Sequence, residues 1–379
     1  MKKQKWFGWL VLALVVMLAS CQSTVTVRHL VPAEVNMGSY RTIAVASTSL
    51  SAPALNYYPT WSINFDDFGY RLSTGYERNA AKNAAELATK TFTSTLQSSG
   101  FFTVLPPEQT DKYLALGDDG VALLKQKGVK AIVTSSISYL DLDERPFTED
   151  IVENQLDPTT KKNKQVVTGK KYYVSQRVTL TFSYLVRDIE SGTILASNSF
   201  TDRRSRDTEI ARRVYRGSSF VDERRYAFAY APSVTSMISS ILDAFQNKIA
   251  QQLMPTWKYT TLALMPNKPK EANVQDAYRM ADAGQVEQAY ALFRAQWDAT
   301  GHLPSGYNAA LMQEAMGNLS DALTLMNQVA SRTGDVKASA AVHRMLAAQK
   351  AQQEAHNQIN GTTSVGESKV TTTQIITGS

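Results

Sequence analysis

Between Tyr172 and Asp188 the sequence alternates. Val174, Val178, Leu180, Phe182, Tyr184 and Val186 fall on one side of an extended chain, and Ser175, Arg177, Thr179, Thr181, Ser183 and Arg187 fall on the other. Successive side chains of a strand point to opposite faces, so this stretch reads as one long strand with a single covered face. A helix would scatter the same residues around its circumference. The chain must therefore hold a sheet, and something apolar must lie over it. Glu190-Ser191-Gly192 supplies a turn, and Thr193–Phe200 is expected to pair back as a hairpin.

Two amphipathic segments can cover that sheet. Over 77–99, Ala80, Ala84, Leu87, Ala88, Phe92 and Leu96 recur at helical spacing, and Gly100 supplies a stop. Over 233–253, Val234, Met237, Ile238, Ile241, Leu242, Phe245, Ile249 and Leu253 form a stripe between Pro232 and Pro255. Shorter strands are expected at Thr42–Ser47, Phe101–Leu105 and Lys130–Leu142, with a helix over Gly120–Lys127 capped by Asp118-Asp119. The aromatic-rich residues 50–75 (Tyr57, Tyr58, Trp61, Phe65, Phe68, Tyr70) read as a packed loop. The order predicts an α+β domain over 41–255, a mixed β-sheet covered by helices.

Several of these segments together resemble the CsgG family. They are Thr42–Ser47, the run Ser98-Ser99-Gly100-Phe101-Phe102-Thr103-Val104, Gly128–Val133, and the turn Asp188–Leu195 of the form D-x-x-[ST]-G-x-[IV]-L. That family includes the curli secretion lipoprotein, and its fold is shared with the periplasmic domain of TolB and with lipoprotein activators of peptidoglycan synthases. The resemblance spans about residues 40–253 and implies a CsgG-like fold. The channel-forming member inserts two hairpins per subunit into the outer membrane, and the matching places here are 145–171 and 201–231. Both are heavily charged: Glu149, Asp150, Glu153, Lys170 and Lys171 in the first, eight arginines in the second. An arginine facing lipid at the midplane costs about 2–4 kcal/mol, so both read as soluble excursions. The arginine run reads first as a solvated, internally paired face. Its functional alternative is contact with an anionic surface through Arg203, Arg204, Arg212, Arg213, Arg224 and Arg225.

Beyond a Pro- and Lys-rich linker, 256–271, the pattern becomes all-helical over 272–358. Ala277 matches Ala310 at an offset of 33, as do Gly284 and Gly317, Ala289 and Ala322, Leu292 and Leu325. This resembles tetratricopeptide (TPR) repeats, although the aromatic usual before Gly284 is missing. The small residues Gly284, Ala289, Gly317 and Ala322 are expected to let paired helices approach, with helices at Asn273–Ala283, Val286–Trp297, Gly306–Met316, Leu319–Ser331 and Val336–Asn357. Such repeats imply protein contacts, or packing against the first domain. Residues 359–379 read as a disordered tail.

The first 20 residues read as a signal peptide: a basic start, the apolar run Trp6–Ala19, and small residues before Cys21. The run is too short to span a bilayer, which needs roughly 20 apolar residues. Leu18-Ala19-Ser20-Cys21 resembles the lipobox of bacterial lipoproteins. That resemblance implies cleavage between Ser20 and Cys21, acylation of the Cys21 thiol, and a tether over 21–40 at the periplasmic side of the outer membrane, since Gln22 is not the Asp that retains lipoproteins at the inner membrane. Loss of Lys2, Lys3 and Lys5 takes the net charge of +6 to +3 (6 − 3), which is not a nucleic-acid-binding balance.

A single cysteine leaves no disulfide framework. No Walker A loop, His-Glu-x-x-His or Gly-x-Ser-x-Gly occurs, and His29, His302, His343 and His356 are scattered. Asp141, Asp143 and Glu144 read as a solvated loop. No catalytic residue, metal or cofactor is expected. The expectation is a non-enzymatic lipoprotein adaptor with an unidentified envelope partner, or itself as a homo-oligomer. The alternatives are a secretion-channel subunit and an envelope hydrolase.

Overall fold

A computed structural model describes residues 23–51, 55–57, 62–64, 71–73, 80–216, 219–224 and 233–361. The signal segment, Ser20, Cys21, Arg225, much of the aromatic stretch and the tail from 362 lie outside them. In chain order the strands are β1 (Thr24–Val31), β2 (Thr42–Val45), β3 (Ser49–Leu50), β4 (Leu55–Tyr57), β5 (Ser62–Asn64), β6 (Arg71–Ser73), β7 (Thr103–Leu105), β8 (Ala131–Leu156), β9 (Asn163–Asp188), β10 (Ile194–Arg216), β11 (Ser219–Arg224) and β12 (Thr256–Ala263). The helices are α1 (Ala80–Ser98), α2 (Pro107–Leu114), α3 (Asp118–Gln126), α4 (Thr235–Leu253), α5 (Gln275–Asp282), α6 (Val286–Thr300), α7 (Leu303–Ala315), α8 (Leu319–Thr333) and α9 (Val336–Asn360). The chain divides into two units, one of Glu34–Met254 and one joining the segment through Ala33 to Pro255–Thr362.

The first unit is built on a mixed sheet of order β11-β10-β9-β8-β2-β7, with β3 and β4 also pairing with β8. β2 lies between β7 and β8 and runs parallel to both, whereas β8 to β11 are antiparallel. Alternation along β2 separates two layers. Ile43 and Val45 join the core formed with α1 and α4, where Phe92 meets Phe182 edge-on at 5.3 Å and Phe200 stacks on Phe245 at 5.5 Å. Ala44 faces the other way, into a smaller cluster with Leu124 of α3, Val129 and Ile189. Pro107 opens α2, a helix that the sequence pattern did not announce.

The Asp188–Leu195 turn has a physical reason. Asp188 Oδ1 accepts the backbone N–H of Glu190 and Ser191 at 2.6 and 2.9 Å, and Oδ2 accepts the Tyr40 hydroxyl at 2.8 Å. Burial acts to raise the Asp188 carboxyl, but these donors outweigh it and hold it below its usual range. Gly192 sits at φ +72°, where a side chain would be strained.

The charged excursions form strands over 145–156, 163–171, 201–216 and 219–224. They continue β8, β9 and β10 outward as an antiparallel arm with register shifts between Ile151 and Val152 and between Glu209 and Ala211, and β11 extends it at its edge. Asp141, Asp143 and Glu144 correspondingly lie within β8 rather than in a loop.

The second unit also departs from expectation. Residues 24–31 are a strand rather than a tether, and 256–263 are a strand rather than a linker; the two pair antiparallel, Thr24 opposite Ala263 and Val31 opposite Thr256. The reason is alternation: Val25 and Val27 are buried while Thr24, Thr26 and Arg28 are exposed. The ribbon packs on α5, α7 and α9. Gln358 clamps Ala33 in both directions, its Oε1 accepting the backbone N–H at 2.8 Å and its Nε2 donating to the carbonyl at 3.1 Å. Asn308 does the same at Met265, with bonds of 2.7 and 2.9 Å.

The helical hairpins α5–α6 and α7–α8 repeat at the offset of 33, and α9 follows as a long closing helix. Ala289 and Ala322 are fully buried, as close helix approach requires. Gly284 and Gly317 serve differently: they adopt φ +75° and +90° in the turns after α5 and α7, and a Cβ on either would meet nothing. The glycine that permits close approach is Gly306 of α7, where a Cβ would lie 2.6 Å from the Trp297 ring.

Candidate functional site

Three features gather polar chemistry. The first is the arm. Its base is a polar row across three strands: Gln176, fully buried, donates to Glu144 on β8 and accepts from Arg206 Nη2 on β10 at 2.7 Å. Arg206 also donates to the Ser233 carbonyl at 3.1 Å, which ties the row to the segment leading into α4. Asp143 is held by Arg145 at 3.0 Å and faces Arg177 at 3.8 Å. Further out, Phe147 stacks on Tyr173 at 5.0 Å, Glu149 opposes Lys171 and Asp150 opposes Lys170, while Arg212 and Arg213 of β10 stand opposite the same two lysines from the other side, a like-charge pairing. Opposite charges directly across strands stabilise register by about 0.2–1 kcal/mol each. Outward of Pro146 and Val174, β8 and β9 bury no apolar side chain, and Val152, Leu156 and Val167 stand exposed near the tip.

The arginines named from sequence separate on this frame. Arg204 pairs with Asp202 at 2.7 Å, and Arg212 pairs with Glu209 at 3.0 Å. Arg213 is buried, and Arg203 is exposed. They follow one strand and do not converge on one point. Arg224 closes β11, opposite Ala211.

The second feature is a cleft of about 880 Å³ beside the carboxyl ends of the parallel strands β2 and β7, where open α/β sheets commonly bind ligands. Ser47 and Thr48 follow β2, Pro106 and Pro107 follow β7, and Ala85, Thr89 and Thr93 of α1 form the facing wall. The Thr48 N–H donates to Thr89 Oγ1 at 2.9 Å, and its hydroxyl shares a hydrogen bond with Ser135 at 2.8 Å. Thr93 Oγ1 is buried without a hydrogen-bond partner. Lys82, Glu86, Lys90 and Glu108 also line the cleft, so hydroxyls and charges of both signs share its wall and suit a small polar group. Sequence reasoning missed this cleft because its walls come from segments far apart in the chain.

The third is in the helical unit. Glu314 of α7 is completely buried and receives both guanidinium nitrogens of Arg344 from α9, one at 2.6 Å, while His29 Nε2 of β1 lies 3.1 Å away. Burial alone would raise the Glu314 carboxyl; Arg344 and His29 overcome that and hold it below its usual range. His302, which is buried, bonds Ser305 Oγ at 2.7 Å and the Pro269 carbonyl at 3.0 Å, which fixes the start of α7. Among the described residues no three His, Cys, Asp or Glu side chains gather as a metal site, and no helix is long and apolar enough to cross a membrane.

No family model matches the sequence, and no curated protein matches it. Among solved structures the chain is similar to a homologue of neuraminyllactose-binding hemagglutinin from Helicobacter pylori (TM-score 0.30, 11% identity, 57% of this chain and 86% of that one). It is similar also to lipoprotein GNA1162 from Neisseria meningitidis (0.25, 13%, 55% and 97%) and to the LpoB C-terminal domain from Salmonella enterica (0.22, 13%, 43% and 82%). At TM-scores this low, these likenesses carry no argument about function.

Proposed function

We propose that this chain is a lipid-anchored envelope protein, acylated at Cys21 after cleavage behind Ser20. In this reading it acts without catalysis, as an adaptor or assembly factor that meets a protein partner through the β8–β9–β10 arm. The arm is the observation that carries the reading. Ordering a residue costs about 1–2 kcal/mol, and a strand pair that buries nothing apolar is marginal by itself. Outward of Val174 the arm buries one apolar side chain on its described strands, Ile210 of β10, while β8 and β9 bury none and still run from Pro146 to Leu156 and back from Asn163. Contact with another molecule offsets such a cost. The α/β unit takes the part of a CsgG-like domain in this reading, and the TPR-like hairpins offer a second contact face. The lipidation rests on the Leu18–Cys21 resemblance, and the outer-membrane address on Gln22 standing where an Asp would retain the protein at the inner membrane.

The test is site-specific photocrosslinking in cells, with a photoreactive residue replacing Val152, Leu156 or Val167 of the full-length chain. One discrete hetero-adduct is expected. No adduct at any of the three positions would remove the arm as a contact. A ladder of self-adducts would favour the second reading, a ring-forming channel subunit. The antiparallel strands of both excursions favour that reading, since a barrel is made of such hairpins. Planar-bilayer conductance of the lipidated protein separates the two, because stepwise conductance requires the ring.

A further inference from the structure

The β1–β12 ribbon has two unlike faces. Val25, Val27, His29 and Val31 point with Leu262 and Thr260 toward the helices. The other face carries Thr24, Thr26, Arg28 and Leu30 on β1 and Trp257, Tyr259, Thr261 and Ala263 on β12, with Leu30 buried beside Trp257 and the rest of the β1 row exposed. Trp257 is 52% exposed and Tyr259 65% exposed, with the Arg28 guanidinium over the Trp257 ring at 5.2 Å. This face holds no acidic residue. Tryptophan and tyrosine with a neighbouring cation form the composition that collects at the membrane–water interface, where the ring is half apolar and half hydrated.

Chain length says what lies beside it. Cys21 is three residues from Thr24, a reach of about 10 Å at most. A lipid on Cys21 therefore enters its leaflet next to the start of β1. Trp257 stands opposite Leu30, about 20 Å further along the ribbon at 3.3 Å per residue. A ribbon lying flat places both aromatic rings at headgroup level, and Arg28 faces the anionic phosphates.

We propose that the Trp257–Tyr259–Arg28 face of the ribbon seats on the headgroup region of the leaflet that holds the Cys21 lipid, so that the helical unit is laid on the membrane rather than tethered above it. The proposal rests on the lipid-anchored reading above. The test uses the full-length lipidated protein in phosphatidylethanolamine/phosphatidylglycerol vesicles, with Thr261→Cys carrying an environment-sensitive fluorophore. The natural sequence has one cysteine, so the added thiol is the free one once Cys21 is acylated. Nitroxide lipids labelled at the headgroup should quench the probe, and iodide should not. Trp257→Ala with Tyr259→Ala should reduce lipid quenching severalfold while the protein still sediments with vesicles and keeps its circular dichroism. A probe open to iodide on protein whose mass confirms acylated Cys21 overturns the proposal and leaves the anchor standing. Protection from iodide without lipid quenching assigns the face to a protein and also overturns it. An unmodified Cys21 mass removes the anchor, and the proposal with it.

Discussion

Glu314 stands where the α7 pattern calls for an apolar residue, and it is tolerated because Arg344 and His29 meet it inside. Removing one partner of a buried pair leaves the other charge uncompensated, which costs about 3–5 kcal/mol. Glu314→Ala should therefore cost about 3 kcal/mol in denaturant melts of the full chain. The pH sign follows from the depressed carboxyl. A group whose folded pKa lies below its unfolded one contributes fully above the unfolded value, about 4.3 for Glu, and loses that contribution as pH falls through the folded value. Below pH 4 the native protein should lose stability more steeply than Glu314→Gln, and parallel acid profiles would contradict this. Gly306 gives a second residue-scale prediction. A Cβ there lies 2.6 Å from the Trp297 ring and 2.7 Å from Val329 Cγ2, both buried, so Gly306→Ala should overpack and cost about 1–3 kcal/mol, read as a lower melting midpoint. Neither role was legible from the chain. Gly306 looked like a helix start, and Glu314 gained meaning only when β1 and α9 closed around it.

At the scale of elements, the arm depends on Gly169. A Cβ there would lie 2.2 Å from the Arg213 carbonyl and 3.1 Å from Ile151 Cδ1, so β10 can cross β9 at this level only over a glycine. Because the nearest atom is backbone, the clash cannot be relieved by a rotamer. Gly169→Ala should part β10 from β9 over the last pairs of this ladder, Lys171–Arg212 to Gly169–Val214. Trypsin should then cut at Lys170 and Lys171 severalfold faster, while the thermal transition of the α/β unit stays in place. Unchanged cleavage would mean that the arm does not need this crossing. The same arm shows how far alternation reaches. From Val174 to Val186 one face is buried and the sequence shows a clear period of two. Beyond Tyr172 both faces meet solvent, the selection for alternation ends, and the strand continues unannounced. The Asp188 turn was readable because its aspartate and glycine are each demanded by local backbone geometry, with φ +72° at Gly192. The 33-residue offset was readable because Gly284 and Gly317 repeat the same turn chemistry after α5 and α7, with φ +75° and +90°.

At the scale of the molecule, the helical unit is discontinuous in sequence, and that is its least legible property. A tether reading of residues 21–40 follows from their polar, β-branched character, and only a partner strand 232 positions away (256 − 24) turns Thr24–Val31 into a ribbon. Val25, Val27, the Ala33 clamp and the His29–Glu314 pair all belong to that segment. Burying two valines is worth about 3–5 kcal/mol, a large share of a domain stability of 5–15 kcal/mol. A fragment of 255–361 alone should therefore melt at low denaturant with a broad transition. Joining residues 23–33 to it through a flexible linker should restore a cooperative transition, and residues 34–254 should fold without either. Equal stability of the two helical fragments would show that β1 is a passenger on the helices. A gain of several kcal/mol on adding those eleven residues (33 − 23 + 1) would show that the strand nearest Cys21 is part of the unit it anchors, so that pulling on the lipid loads the helical core directly.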